Sequence, residues 1–232
     1  MKHQFLSRNV LKFIAIISML IDHVGKLFFP DILILQIIGR LSFPIFAFFI
    51  AEGFYFTKNK LKYFLVMLIF AIVAQIPYNF LFNGLNILFT FCCALILLFI
   101  WNISTKFSGI EKIVCKFIFL CVTIVLACFA LLLQMDYAWY GILLPFVFYV
   151  FRKHKIIKFV IFALITILFV IQNMGWGLQS PTLSNSIQLC SLLSILLLAF
   201  YNDTLRNNNK YKYLFYVFYP LHLTVLLFFT FM

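Results

Sequence analysis

Charge is what this sequence lacks. Only 10% of its 232 residues are Asp, Glu, Lys or Arg, and 66% are hydrophobic. A soluble domain carries about 25% charged residues, so an ordinary globular core with a wet surface is excluded. Acids are scarcer still, six against 18 Lys and Arg, for a net charge of +12. That excess does not mean nucleic acid. The basic residues sit in short clusters between apolar runs, the topogenic pattern of a membrane protein, rather than on one face of a domain. Metal-ligand spacing is absent as well. Cys92, Cys93, Cys115, Cys121, Cys128 and Cys190 lie in or beside apolar runs and read as small packing residues. No motif points to a metal, a nucleoside triphosphate or a flavin. No Pro- or Ser-rich linker, low-complexity tail or internal repeat divides the chain. One integral membrane domain over residues 1–232 is expected. A cleavage site is missing too. MKHQFLSRNVLK is basic and precedes an apolar run, as a secretion signal does, but no small-residue site follows. The run also holds Asp22, His23 and Lys26, so it reads as an uncleaved first membrane helix.

What is present is a series of apolar segments. Nine have spanning character: 10–29, 32–57, 61–82, 86–103, 113–134, 137–151, 156–173, 185–201 and 213–231. A helical span needs about 20 residues. The expected fold is therefore an all-α, polytopic bundle of about nine transmembrane helices. The second segment holds Arg40 and Pro44 and is expected to kink or break. The sixth is short. Basic residues alternate between the loops. They precede segment one (Lys2, Arg8, Lys12) and follow segment two (Lys58, Lys60, Lys62), four (Lys106, Lys112, Lys116), six (Arg152, Lys153, Lys155, Lys158) and eight (Arg206, Lys210, Lys212). The loops between, including PD at Pro30 and Asp31 and the stretch Gln172–Asn185, carry none. Positive-inside then places the N-terminus in the cytoplasm and the C-terminus outside.

The two remaining basic residues and two of the acids lie inside the apolar runs. Asp22, His23 and Lys26 fall in segment one, Arg40 and Glu52 in segment two, and Asp136 near an outer helix end. An Asp, Lys or Arg at a helix centre costs roughly 2.5–3.5 kcal/mol. Such groups therefore pair with each other or face a wet cavity. Ser18, Asp22 and Lys26 share one helix face, and His23 stands about 100° around from Asp22. Asp22 is thus placed to pair with Arg40 or Lys26, or to meet substrate, rather than to hold the His23 ring. By depth, Asp136 and His23 lie in the outer half, Arg40 and His222 near the middle, and Glu52 and Lys58 lower.

The runs LKFIAIISMLIDHVGKLFFP, IIGRLSFPIFAFFIAEGF and AQIPYNFLF resemble the TraX family. LNILFTF, MDYAWYGILLPFVFYVFR and YVFYPLHLTVL agree in the same order along nearly the whole chain. The resemblance implies a bacterial inner-membrane acetyltransferase, whose named member acetylates the N-terminus of conjugative pilin. The DH pair followed by the Arg40 block is also similar to the wider membrane acyltransferase group, which takes acyl-CoA from the cytoplasm and modifies an acceptor on the other side. It implies His23 as catalytic residue, with Asp22 and Arg40 as partners. Acetyl-CoA would be the acyl donor and an extracytoplasmic amine or hydroxyl the acceptor. Arg40, Lys58, Lys60 and Lys62 would hold the donor, and Glu52, Asp136, Tyr140 and His222 the acceptor. Histidine suits proton transfer near neutral pH, and Arg40 or a backbone amide near Gly39 suits a developing oxyanion. Other readings stand beside it: an acyltransferase for a surface glycan or lipid, a proton- or ion-coupled transporter using the same buried charges, and a structural scaffold.

Overall fold

The computed structural model describes residues 6–174, 186–202 and 212–232, with backbone alone at 212–215. Lys2, Arg206, Lys210 and most of the stretch 172–185 lie outside the described residues. The described chain is helical. In order it forms α1 (Arg8–Phe28), α2 (Leu33–Gly39), α3 (Ser42–Phe56), α4 (Lys60–Leu81), α5 (Ile87–Ser104), α6 (Gly109–Leu132), α7 (Ala138–Val150) and α8 (Lys155–Asn173). A 3₁₀ helix (Ile187–Leu193) then runs into α9 (Ser194–Ala199), and α10 (Lys212–Thr230) follows.

Every apolar segment of the sequence coincides with helix, and five are long and apolar enough to cross a membrane: Leu33–Phe56, Lys60–Leu81, Ile87–Ser104, Gly109–Leu132 and Lys155–Asn173. The chain is a multi-pass membrane protein. α6 shows why most plainly. Ile110, Ile113, Phe117, Leu120, Ile124 and Val125 are all exposed on it, a surface that water would penalise and lipid accepts.

The chain packs as two compact units, one of residues 1–46 and 151–232, the other of residues 47–150. In the second unit α5 is central, packed against α4, α6 and α7. A Cβ on Gly141 would fall 2.6 Å from Thr90 Cγ2, so the missing side chain lets α7 close onto α5. Asn86 caps α5 at Leu88 N and is itself bonded to Ala71 O and Gln75 Oε1. The Asp136 N–H donates to Leu85 O and Thr90 Oγ1 donates to Asp136 O. These bonds tie the α4–α5 and α6–α7 turns together.

The first unit holds α1, α2, α8, the 3₁₀ helix, α9 and α10. Ser7 caps α1 by accepting from Val10 N. Leu11, Ala15, Ile16, Ser18, Met19, Asp22 and His23 form its buried stripe, at the helical spacing of one face. Val10, Phe13 and Ile17 are exposed on the other. The expected break of segment two falls at Arg40 and Leu41, between α2 and α3. Its backbone is satisfied locally: Arg40 N donates to Gln36 O, Leu41 N to Ile38 O, and Ser42 Oγ to Gly39 O at 2.8 Å. Broken backbone is tolerated at membrane depth only under that condition. Pro44 sits in the first turn of α3, where its missing N–H costs nothing.

One backbone contact levels the ends of two helices. Leu6 N donates to Phe200 O at 3.2 Å and Asn202 N to Leu6 O at 3.1 Å. The start of α1 and the end of α9 therefore lie at one height. These are the two places where the alternating charge pattern sets loops on the same side.

Candidate active site

The charged residues of α1 and the α2–α3 break meet. Asp22 Oδ2 lies 2.5 Å from Lys26 Nζ, one turn up α1, and Asp22 Oδ1 accepts from Arg40 Nη2 at 3.3 Å. Arg40 Nη1 donates to Gln188 Oε1 of the 3₁₀ helix at 3.4 Å. The guanidinium is thus shared between a carboxylate and a carboxamide, a use of its planar fork that lysine does not reproduce. Asp22 is buried, and its two cations offset the desolvation cost of its charge.

Glycine makes this meeting possible. A Cβ at Gly39 would stand 2.6 Å from Asp22 Cγ, and one at Gly25 would stand 2.8 Å from Leu35 Cβ. Small residues let α1 and α2 approach closely, as in membrane helix pairs generally. Gly39→Ala is expected to push α2 off Asp22 and lengthen the Asp22–Arg40 pair. Overpacking of this kind costs about 1–3 kcal/mol. A lower melting temperature in detergent, with Asp22-dependent function lost, is the expected result. Melting at the wild-type temperature would show that the two helices are not so tightly set.

His23 points elsewhere, as its angular offset from Asp22 requires. Its Nδ1 lies 2.8 Å from His222 Nε2 on α10. The two rings are parallel to within 4° with centroids 5.1 Å apart. That separation is roughly the N···N distance plus two ring radii, so the rings meet edge to edge in one plane, as a straight N–H···N bond requires. His222 Nδ1 in turn lies 2.9 Å from Phe218 O. The Phe218 ring lies parallel to His222 within 10° at 5.0 Å, and the Tyr219 ring meets it at 64° and 5.4 Å. His23 is 8% exposed and His222 5%.

This chain of contacts assigns tautomers. A carbonyl accepts only, so His222 Nδ1 carries the hydrogen and donates to Phe218 O. With both rings neutral, His222 Nε2 is then an acceptor. His23 Nδ1 must therefore be the donor, and the His23 lone pair resides on Nε2. The protein fixes which nitrogen of His23 is basic.

The other residues singled out in the sequence belong to the second unit. Glu52 is buried on α3. Lys58 and Lys62 are exposed around the start of α4, and Lys60 Nζ lies 4.8 Å from the centroid of the Phe54 ring. The Asp136 carboxyl is hydrogen-bonded by Tyr78. Tyr140 is fully buried in α7. The backbone at Gln134, Tyr137 and Ala138 adopts positive φ, from 41° to 60°, a conformation that L-residues other than Asn and Asp adopt rarely. Sequence reasoning did not find Gln188, Ser191 and Ser194, all buried polar residues of the first unit. The signal for them was there: three polar residues at i, i+3 and i+6 in an apolar run.

The chain matches known proteins along nearly its whole length. The TraX protein family model matches residues 7–230. A probable fimbrial assembly protein FimC, serogroup H1, of Dichelobacter nodosus is 29% identical over 249 aligned positions, covering 95% of this chain and 97% of that protein. An uncharacterized protein of Rickettsia prowazekii is 37% identical over 76 positions, covering 33% of this chain and 29% of that protein. No solved structure matches. A family match that runs from the Ser7 cap of α1 to Thr230 at the end of α10 takes in both histidines and the Asp22–Arg40 pair: the chain belongs to the TraX family.

Proposed function

We propose that this protein is a membrane-embedded acetyltransferase, taking acetyl-CoA from the cytoplasm and modifying an extracytoplasmic amine, with His23 as general base. The observation that carries this reading is the Phe218–His222–His23 relay. It presents one defined basic nitrogen on the residue next to Asp22, in the same compact unit as the Asp22–Arg40 pair. The acceptor is the N-terminal amine of a pilin-like protein or peptide. Family membership and the fimbrial assembly relative support that choice. The N-terminus lies in the cytoplasm and the C-terminus outside, in the bacterial inner membrane. The whole chain, residues 1–232, acts as one acyltransferase domain.

The acceptor nitrogen attacks the thioester carbonyl and its proton passes to His23 Nε2. The C–N bond forms, the oxyanion draws on Arg40, and the C–S bond breaks. The thiolate leaves and takes the proton from His23. The products are an acetamide and free CoA. Direct transfer in this way needs no acyl-imidazole near water. Roles for Lys58, Lys60 and Lys62 toward the donor phosphates, and for Glu52, Asp136 and Tyr140 toward the acceptor, rest on the sequence pattern and the resemblance. His222 is proposed to orient His23 rather than to touch the acceptor.

The direct test is transfer itself. Purified protein in detergent, given acetyl-CoA and a peptide with a free N-terminus, is expected to add one acetyl group, read by mass. Absence of acetyl-CoA binding would sink the proposal and turn attention to ion flux in liposomes, the transporter reading. The relay has its own test. His222→Gln keeps an acceptor near the Nε2 position and is expected to stay within about tenfold of wild type, whereas His222→Leu should lose on the order of 10²–10⁴-fold. The chain has four histidines, few enough for selective ¹⁵N labelling. His23 should show an N–H signature at Nδ1 and a lone-pair signature at Nε2. The opposite assignment would overturn the relay.

A further inference from the structure

The 3₁₀ helix and α9 are inside out. Leu189, Leu193 and Leu196 are exposed, while Gln188 is 4% exposed and Ser191 and Ser194 are 0%. Gln188 Nε2, Ser191 Oγ and Ser194 Oγ have no hydrogen-bond partner among the described residues. A 3₁₀ helix has three residues per turn, so residues at i, i+3 and i+6 stand one above another, about 6 Å apart. The three side chains form one buried polar ladder. Inward polar groups of a membrane protein ordinarily bond a neighbouring helix; these three atoms do not, and unsatisfied buried polar groups call for an explanation.

The ladder has a direction. At the top Gln188 receives Arg40, which also holds Asp22. At the bottom, Phe200 lies level with Leu6 through the backbone bridge. The heights agree: Leu6 to Asp22 rises about 24 Å along α1, and Phe200 to Gln188 about 21 Å along α9 and the 3₁₀ helix. The ladder therefore runs from the Asp22–Arg40 site down toward the end of the unit where Arg8 and Lys12 enter α1.

We infer that Gln188, Ser191 and Ser194 bind the amide-bearing pantetheine arm of the acyl donor as it reaches from the basic end of this unit to His23. This rests on the acetyl-CoA reading above. The ladder offers neutral N–H and O–H donors in single file, without charge. It fits a thin, uncharged chain that carries carbonyl acceptors at intervals. Pantetheine is such a chain, with two amides in series separated by a β-alanine unit. That unit is one methylene longer than an extended residue of about 3.3–3.6 Å, so its repeat is longer than a peptide's though shorter than the roughly 6 Å between rungs. A lipid acyl chain has no acceptors to offer, and an inorganic anion wants positive charge.

Equilibrium binding of acetyl-CoA and of pantetheine to the purified full-length protein tests this. Ser191→Ala with Ser194→Ala deletes hydroxyls that have no partner among the described residues, so its melting temperature should hold or rise. Its affinity for both probes should fall on the order of tenfold. Ser191→Val, which fills the path instead, should weaken binding as well. Wild-type affinity in both ladder variants would overturn the inference and leave the face to water, and so would a wild-type protein that binds neither probe. The two proposals separate cleanly. Ladder-dependent binding without turnover would sink the catalytic reading alone. His23-dependent turnover with binding indifferent to the ladder would sink the ladder alone.

Discussion

His23→Ala is expected to cut acetyl transfer by on the order of 10²–10⁴-fold, the usual contribution of a positioned general base, while the protein still accumulates in the membrane. The reasons lie in what the ring touches. His23 Nδ1 lies 2.8 Å from His222 Nε2; with both rings neutral and His222 Nδ1 donating to Phe218 O, Nδ1 is the donor and Nε2 the basic nitrogen. Removing the ring leaves the reaction with no base of defined tautomer at this point. It also leaves His222 Nε2 buried without its donor, at a cost of about 1–3 kcal/mol. A modest drop in melting temperature should therefore accompany the loss of transfer. Acetyl-CoA binding should persist, because the ring is assigned to proton transfer and not to the donor. Normal turnover in this variant, with correct insertion, would remove the catalytic assignment outright.

Much of this site was legible in the sequence because charge inside an apolar run is conspicuous. Asp22, Lys26 and Arg40 could be expected to pair on cost alone, and Asp22 bonds both cations. The angular offset between neighbours on a helix already separated His23 from Asp22. The break at Arg40 was signalled by a charge and a proline in one long run. The partner of His23 was not legible. His222 is 199 positions away in sequence, and no rule of spacing brings α10 onto α1. The ladder was hidden for a different reason. Segment 185–201 was read as an ordinary spanning helix of period 3.6, and only a period of three aligns Gln188, Ser191 and Ser194. Nor did helix periodicity indicate that Gly25 and Gly39 are the points where α1 and α2 touch.

Arg40 is where stability and chemistry are most tightly coupled, and its variants should divide into two kinds. Arg40→Ala removes one of the two cations on buried Asp22 and the donor to Gln188 Oε1. Breaking a buried pair by deleting one partner costs about 3–5 kcal/mol; Lys26, still at 2.5 Å, should hold the loss toward the lower end. Little folded protein and no transfer are expected. Neutralising both sides, Asp22→Asn with Arg40→Gln, removes the buried carboxylate that Arg40→Ala leaves under-compensated and leaves only the part-exposed Lys26 charged; it should restore folded protein without restoring transfer. Recovery in the double variant is the measurement that separates charge balance from catalysis, and fluorescence melting on the three tryptophans of the chain reads it. Arg40→Lys keeps the charge but has no fork with which to hold Asp22 and Gln188 together. It should accumulate near wild-type levels and transfer at least about tenfold more slowly, in line with the loss of one well-placed oxyanion donor. Full activity in Arg40→Lys would mean that only the positive charge matters, and the oxyanion role would then pass to a backbone amide near Gly39.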